Sequence, residues 1–277
     1  MTKLMHQIVL SALSEDIGTG DISSSLLDDK LVSAKIICRE KAVISGLDYA
    51  ALCFYELDPN VAIEWQIEEG GISEPGQTLC LLKGMSRAMI SAERTALNFL
   101  QTLSATATQT RHLVDLIVHT KTKLLDTRKT LPNLRHAQKQ AVKSGGGVNH
   151  RMGLFDCVML KENHISAIGS LEGAIDRALK SFPDKPVIVE VETLDQLDQA
   201  LAIGGVTRIL CDNFDPRVLA DAVGKASGKC PLEASGNIDE SNIQEYAETG
   251  VDYISIGAIT KHIQSIDLSL QFEIVAK

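Results

Sequence analysis

The segment 187–216, VIVEVETLDQLDQALAIGGVTRILCDNFDP, decides the fold. Two short apolar runs, VIVEVE and RILCD, stand on either side of a helical pattern, and Thr193 starts that pattern with a capping box. A second helix start follows the second run, where Asp215 supplies an N-cap before Pro216. Because these runs are almost continuously apolar rather than alternating, they predict parallel strands that helices cover on both faces.

Similar runs follow one another from residue 121 to residue 262: KLLD, FDCVMLK, VIVEVE, RILCD, PLEAS and DYISIG. Five of these predicted strands end in a polar residue, and the last four such residues are separated by 29, 22 and 23 positions. In βα barrels such residues converge on one pocket, but a full barrel needs about 250 residues. The roughly 140 residues present here predict an open, incomplete barrel or a doubly wound sheet. The strand-end residues are Asp126, Lys161, Glu190, Asp212 and Ser235.

The first third of the chain has a different pattern. Residues 31–83 contain short strand patterns broken by glycine and proline turns, and residues 91–120 change to a helical pattern. The tail DLSLQFEIV, which starts at Asp267, alternates apolar and polar side chains and predicts a strand that returns to the first sheet. We therefore predict two domains. The first comprises residues 1–105 joined by the C-terminal strand 265–277, and the second comprises residues 106–264.

Composition excludes several classes of function. The 277 residues include 36 acidic and 27 basic side chains, and the net charge of -9 argues against a nucleic-acid-binding protein. Six scattered cysteines have no zinc-ligand spacing and indicate reduced, buried thiols in a cytoplasmic protein. No apolar run approaches the roughly 18 residues of a membrane span, and the start of the chain predicts an amphipathic helix instead of a signal peptide. We therefore expect a cytoplasmic protein that binds neither nucleic acid nor membranes.

Cations concentrate in one segment despite the acidic balance. Residues 121–151 contain eight Lys or Arg and one acidic residue. Arg128 and Lys129 directly follow a predicted strand, and three consecutive glycines shortly precede His150 and Arg151. Cations at a strand end beside a flexible backbone predict close approach to a bulky anion. Three other cations of the segment are spaced i, i+4, i+8 and fit a solvated helix face equally well: Arg135, Lys139 and Lys143.

Two acidic residues, Glu190 and Asp212, end neighbouring predicted strands. Beside these cations they fit a shared Mg²⁺ that bridges protein carboxylates and substrate phosphate oxygens. Helix capping, or an ion pair with Arg128 or Lys161, is the alternative. Further along, two neighbouring turns place glycine between a strand and a helix, which is typical of phosphate sites, although tight turns alone would need the same residues. These turns are Ser235, Gly236 and Asn237, and Ile256, Gly257 and Ala258.

Nine motifs, taken in order along nearly the whole chain, resemble one family. They are Glu15–Asp21, Glu93–Asn98, Asp126–Pro132, Gly145–Arg151, Lys161–His164, Glu190–Glu192, Cys211–Asn213, Glu233–Gly236 and Gly250–Asp252. The sequence resembles the quinolinate phosphoribosyltransferase family, a class of pentosyltransferases. The resemblance implies an α/β fold, with an N-terminal α/β sandwich domain and an open α/β barrel, and a homodimer with a shared active site. The implied reaction joins quinolinate to phosphoribosyl pyrophosphate, releases pyrophosphate and CO₂, and gives nicotinate mononucleotide for de novo NAD biosynthesis.

The resemblance also implies roles for the matching residues. The two carboxylates of quinolinate would be held by Arg128, His150, Arg151 and Lys161. Lys129, with Thr127 beside it, and Arg94 of the partner subunit would face the pyrophosphate. Glu190 and Asp212 would orient the ribose and Mg²⁺, and with Lys129 they form the implied catalytic set. The 5′-phosphate would lie against Ser235, Gly236, Asn237, Ile256, Gly257 and Ala258.

One position departs from the family pattern, because Lys261 follows Thr260 where family members often have a histidine or another polar residue. Two alternatives share the fold: a homologue associated with molybdenum uptake, and a phosphoribosyltransferase for a monocarboxylate such as nicotinate. Four cations at the carboxylate end favour a dicarboxylate, since a single carboxylate would leave buried cations unpaired. A non-catalytic anion-binding protein is a third alternative, and the presence of both Glu190 and Asp212 argues against it.

Overall fold

The computed structural model describes residues 2–273, and the chain folds into two compact units. Unit 1 comprises residues up to 111, residues 131–146 and residues from 262 onward. Unit 2 comprises residues 112–130 and 147–261. Three segments that the sequence placed in the second domain, residues 106–111, 131–146 and 262–264, therefore group with unit 1.

Unit 1 combines an antiparallel sheet with helices. The elements are α1 Lys3–Ile17, a 3₁₀ helix Ser24–Leu26, β1 Leu31–Cys38, β2 Ala42–Val43, α2 Leu47–Leu57, β3 Ala62–Trp65, β4 Ile72–Ser73, β5 Thr78–Met85, α3 Ser86–Leu116, α4 Arg135–Ser144 and β12 Leu268–Phe272. The last turns of α3, from residue 112, belong to unit 2. The main sheet has four strands in the order β12-β1-β5-β3, and β2 pairs with β4 in a separate two-stranded sheet.

The strand β1 shows why this sheet forms one side of a core. Its side chains alternate, so that Ala34, Ile36 and Cys38 are buried while the residues between them are partly exposed. The C-terminal strand β12 pairs antiparallel with β1, with Phe272 opposite Ala34. The last residues of the strand pattern read from the sequence, Ile274 onward, lie outside the described residues.

Two helices of unit 1 test the helical patterns read from the sequence: the apolar stripe on α3 is confirmed, and the solvated cation face on α4 is confirmed only in part. The α3 stripe of Ala96, Leu100 and Leu103 is buried in the unit 1 core. On α4, however, Lys139 is only 1% exposed, so the solvated-face interpretation is wrong for this residue. Lys143 is exposed, as that interpretation expected. Helical spacing places cations on one face but does not show what covers that face.

Unit 2 is a six-stranded parallel sheet with helices between its strands. The elements are β6 Lys123–Leu125, β7 Val158–Leu160, α5 Glu162–Ile168, α6 Leu171–Ser181, β8 Val187–Val191, α7 Leu194–Ile203, β9 Arg208–Asp212, α8 Pro216–Ala226, β10 Leu232–Ser235, α9 Ile243–Glu248, β11 Tyr253–Ser255 and α10 Ala258–Lys261. The strand order is β6-β11-β10-β9-β8-β7, so β6 and β7 form the two edges of an open sheet, and no closed barrel is present among residues 2–273. This confirms the predicted α/β class with an open parallel sheet.

The predicted helix starts in unit 2 are confirmed. The Thr193 hydroxyl accepts from the backbone N–H of Gln196 at 3.2 Å, and the Asp215 carboxylate accepts from Arg217 and Val218 at 2.9 Å each. These caps fix where α7 and α8 begin, directly after the loops that follow β8 and β9. Throughout the described part of the chain, every helix is too short or too polar to cross a membrane.

Candidate active site

The carboxyl edge of the unit 2 sheet brings the predicted strand-end residues together. The register of the parallel pairs aligns Ser235 with Asp212 on one side and with Ser255 on the other, and Ser255 with Leu125 of β6. All six strands run in the same direction, so the residue after each strand lies at this edge. The edge therefore carries residues from both the basic segment 126–129 and the two predicted carboxylates.

Two carboxylates and a lysine meet at this edge. Lys161 Nζ forms an ion pair with Glu190 Oε2, which is the pairing that the sequence left open as an alternative to metal binding. Burial raises the pKa of Asp212, the negative charge of Glu190 raises it further, and Lys161 and Lys129 offset this only in part. The two carboxylates therefore repel each other, and a cation placed between them would be stabilised.

These carboxylates supply only part of a metal site. Among residues 2–273, no group of three or more His, Cys, Asp or Glu is arranged to hold a metal ion. Mg²⁺, however, is commonly bound through one or two carboxylates together with substrate phosphates and water. The pair Glu190 and Asp212 therefore fits a Mg²⁺ that arrives with a phosphorylated substrate, and does not fit a metal held by the protein alone.

The turn after β10 is built around a close backbone approach. Asn213 donates its side-chain N–H to Asp212 Oδ2 at 2.9 Å and accepts from Asn237 Nδ2 at 3.2 Å. Asn213 and Asn237 both have left-handed backbones, with φ of 56° and 52°. Gly236 has φ of 102°, and a Cβ there would lie 2.1 Å from Asn213 Oδ1. This turn therefore requires glycine, and Asn213 joins it to Asp212.

We expect Gly236→Ala to lower the free energy of unfolding by about 1–3 kcal/mol, because alanine would be strained at this φ and would displace Asn213. The matched control is Gly224→Ala in α8, where the space around a new Cβ is open. That change should raise stability by about 0.4–1 kcal/mol, since it reduces the entropy of the unfolded chain. Denaturant unfolding of both variants measures the difference, and equal stabilities would contradict the steric argument.

Lys129 is held in place at the other turn of this edge. Its backbone N–H donates to Thr127 Oγ1 at 3.0 Å, and its carbonyl accepts from the buried Thr260 hydroxyl at 2.8 Å. A Cβ at Gly257 would lie 2.8 Å from Lys129 Cδ, so the lysine stem lies against this glycine. Lys261, whose neighbourhood departs from the family pattern, is exposed at the end of α10.

The loop 147–151 is attached to the strand end by Asp126. This residue is fully buried, and its carboxylate accepts from Asn149 Nδ2 at 2.6 Å and from the backbone N–H of His150 at 2.8 Å. Burial lowers the pKa of the Arg151 guanidinium first, and the positive charge of Arg128 lowers it further. The repulsion between these two arginines at the sheet edge would be relieved by an anion placed between them.

Sequence reasoning assigned no role to the buried charges beneath this pocket. Glu233 Oε2 lies 2.8 Å from Arg208 Nε and 3.4 Å from His150 Nε2, and the Arg208 guanidinium lies 4.8 Å from the centre of the Tyr253 ring. Burial raises the pKa of Glu233, but His150, Arg208 and Ser255 outweigh burial and hold the pKa below its ordinary value. The available signal was an acid in the apolar run PLEAS.

Comparison with known proteins identifies the family. Residues 21–104 match the family model for the quinolinate phosphoribosyl transferase N-terminal domain, and residues 106–271 match the model for the C-terminal domain. The chain belongs to the quinolinate phosphoribosyltransferase family. The resemblance carried by its motifs is thereby confirmed.

Relatives in this family cover nearly the whole chain. A nicotinate-nucleotide pyrophosphorylase (carboxylating) from Mycobacterium leprae is 39% identical over 267 residues, which is 94% of each chain. A chloroplastic protein of the same name from Oryza sativa is 38% identical over 97% of this chain and 78% of its own length. The structure of the nicotinate-nucleotide pyrophosphorylase from Francisella tularensis has a TM-score of 0.95 at 47% identity and covers 98% of this chain and 96% of its own.

The family resemblance implied one site residue outside unit 2. Arg94 lies on α3 in unit 1, where it is exposed. The other implied substrate and metal residues all belong to unit 2, within the ranges 127–129, 150–161, 190–212, 235–237 and 256–258. Unit 2 thus supplies all of the predicted site except Arg94.

Proposed function

We infer that this chain transfers the phosphoribosyl group of phosphoribosyl pyrophosphate to quinolinate and decarboxylates the product. The products are nicotinate mononucleotide, pyrophosphate and CO₂, in NAD biosynthesis. The observation that carries this inference is the arrangement of one sheet edge, where the cations Arg128, Arg151 and Lys161 lie with the carboxylates Glu190 and Asp212. Both family models and the named relatives favour this reaction over the molybdenum-uptake and nicotinate-type alternatives.

The cationic end of the site fits the two carboxylates of quinolinate. Arg128 and Arg151 repel each other, so a dianion between them would relieve that repulsion. Lys161 is paired with Glu190, and its partly exposed ammonium can turn to a substrate carboxylate. His150 belongs to this set through its ring, which accepts the backbone N–H of Arg151.

The opposite side of the site would bind the phosphorylated substrate. Lys129, supported by Thr127, would bind the pyrophosphate, while Glu190 and Asp212 would orient the ribose and hold Mg²⁺. When bound, Mg²⁺ neutralises charge on the departing pyrophosphate. The 5′-phosphate would be held by the two turns whose backbones approach closely, namely Ser235, Gly236 and Asn237, and Ile256, Gly257 and Ala258.

This arrangement suits a transfer that passes through an oxocarbenium-like ribosyl group. The protein has to align the pyridine nitrogen with the anomeric carbon and stabilise the charge that develops on the leaving group. Lys129 supplies a fixed positive charge for the second task, and no covalent bond to the protein is needed. Once the ring nitrogen is alkylated, the cationic ring stabilises the carbanion that remains when the adjacent carboxylate leaves as CO₂. A proton from water then adds to that ring carbon and gives nicotinate mononucleotide.

The direct test mixes the protein with quinolinate, phosphoribosyl pyrophosphate and Mg²⁺ and follows the release of CO₂. We expect release that requires all three components and stops when a chelator removes Mg²⁺. Nicotinate in place of quinolinate is the control substrate. Absence of CO₂ release, or equal consumption of phosphoribosyl pyrophosphate with nicotinate, would contradict the proposed function.

We also propose that the chain acts as a homodimer in the cytoplasm. All six cysteines are buried free thiols, which suits a reducing compartment. Arg94 is exposed on α3, and the family resemblance implies that it serves the site of the neighbouring subunit.

Subunit complementation tests this shared site. Arg94→Ala and Lys129→Ala chains, co-expressed with different tags, form mixed dimers in which one site has both native residues. The mixture should therefore recover about a quarter of the wild-type activity, although each variant alone is nearly inactive. If Arg94 acts within its own chain, neither site of a mixed dimer is intact and no activity returns.

A further inference from the structure

The Glu233 carboxylate is a buried charge that an apolar side chain could have replaced if packing were its only role. Glu233 is 0% exposed in the middle of β10, and the parallel register places Tyr253 of β11 directly beside it. Its charge is balanced by Arg208, whose guanidinium also lies over the Tyr253 ring. Buried ion pairs add little stability compared with apolar residues of similar volume, so such a pair calls for another explanation.

The His150 ring connects this carboxylate to Arg151. His150 Nδ1 accepts the backbone N–H of Arg151 at 2.6 Å, so Nδ1 carries no proton. In the neutral ring the proton is then on Nε2, the atom that faces Glu233 Oε2 at 3.4 Å. The negative charge of the Glu233 carboxylate on the Nε2 side favours a proton on that nitrogen electrostatically. The backbone N–H of His150 donates to the Asp126 carboxylate, which fixes the backbone that carries the ring.

We propose that Glu233 is a positioning residue for quinolinate binding, which holds His150 in the Nε2–H tautomer so that the ring fixes the backbone of Arg151. This inference rests on the proposed function, because it assigns Arg151 to a substrate carboxylate. Glu233 acts through His150, and Arg208 places a positive charge 2.8 Å from the buried carboxylate. The Arg151 guanidinium also donates to the carbonyl of Cys157 at 3.4 Å, so its direction depends on both contacts.

The variant Glu233→Gln keeps the shape of the side chain and removes its charge. It should raise the KM for quinolinate by ~10-fold, the usual cost of losing a partner that orients a ligand-binding histidine. The KM for phosphoribosyl pyrophosphate should change by less than about twofold, since that substrate would bind at the other side of the site. A loss of folded protein alone would instead lower kcat and leave both KM values unchanged.

Asp252→Asn is the matched control. Asp252 is also a carboxylate of unit 2, and it accepts the backbone N–H of Leu232 at 2.9 Å and pairs with Lys121 at the opposite end of the sheet. The two variants are compared at equal loss of thermal stability, and both KM values of Asp252→Asn should stay at the wild-type level. An increase in the quinolinate KM of the Asp252→Asn variant equal to that of Glu233→Gln would overturn the proposal.

A double-mutant cycle tests whether Glu233 acts through His150. In a His150→Ala background, Glu233→Gln should change the quinolinate KM by less than about twofold, because the ring that transmits the effect is gone. A tenfold increase in both backgrounds would overturn the proposal. Inactivity of the wild type would overturn the proposed function as well, whereas an active wild type with an unchanged Glu233→Gln variant overturns this inference alone.

NMR of the wild-type protein with ¹⁵N-labelled histidine provides a readout that does not depend on any variant folding. His150 should show a protonated Nε2 and an unprotonated Nδ1 at neutral pH. The opposite tautomer would contradict the proposal, whatever the kinetic results.

Discussion

Replacement of Lys129 by alanine is expected to lower kcat/KM by ~10²-fold or more, the usual cost of removing one electrostatic stabiliser of a transition state. The negative charge that Lys129 would neutralise grows as pyrophosphate departs, so kcat should fall together with kcat/KM. The lysine is well placed for this, because Thr127, Thr260 and the surface of Gly257 fix its backbone and stem before substrate binds. Steady-state kinetics with phosphoribosyl pyrophosphate as the varied substrate measure the effect.

The matched control for this variant is Lys123→Ala. Lys123 is an exposed lysine at the start of β6, while Lys129 follows the end of the same strand. Loss of a positive charge from unit 2 is thus the same in both variants, and only the location differs. Near-normal turnover of the Lys129→Ala variant would contradict the assignment of the site.

Arg128→Ala should also lower kcat/KM by ~10²-fold, but mainly through a higher KM for quinolinate. The Arg128 guanidinium is close enough to Arg151 to lower the pKa of Arg151. Without Arg128, only one of the two arginines would remain to bind the dianion. Arg128→Lys keeps the charge but loses the planar fork that fits a carboxylate, and should give an intermediate KM. Kinetics at saturating phosphoribosyl pyrophosphate separate these effects.

Arg177→Ala provides the comparison for Arg128→Ala, since Arg177 is an exposed arginine on α6 of the same unit. Its quinolinate KM should equal that of the wild type. An unchanged quinolinate KM in the Arg128→Ala variant would exclude Arg128 from the dicarboxylate pocket.

The strand ends of unit 2 could be predicted because each depends on local sequence. A continuous apolar run, a polar residue and a helix cap follow one another within about ten positions, and the parallel direction of the strands then brings Glu190 and Asp212 to one edge. The requirement for glycine at position 236 was visible as a turn signal. Its physical reason, the close approach of Asn213, appears only in three dimensions.

The charges beneath the site could not be predicted in the same way. Glu233 depends on Arg208 from the preceding strand and on His150 from a loop far earlier in the chain, and no short spacing connects the three. Lys139 shows the same limit, since the spacing that placed it on a helix face gave no sign that the residue is buried. Tertiary packing, which decides both cases, leaves no local pattern in the sequence.

The pairing of β12 with β1 affects how the protein folds while the ribosome is still translating it. β1 leaves the ribosome early, whereas β12 follows only after all of unit 2 has been translated. Throughout that interval we expect one side of β1 to present unpaired backbone groups, the kind of edge on which nascent chains associate with each other. Expression conditions that slow elongation would lengthen this exposure, so the yield of folded protein should depend on translation speed and on chaperones that shield nascent strands.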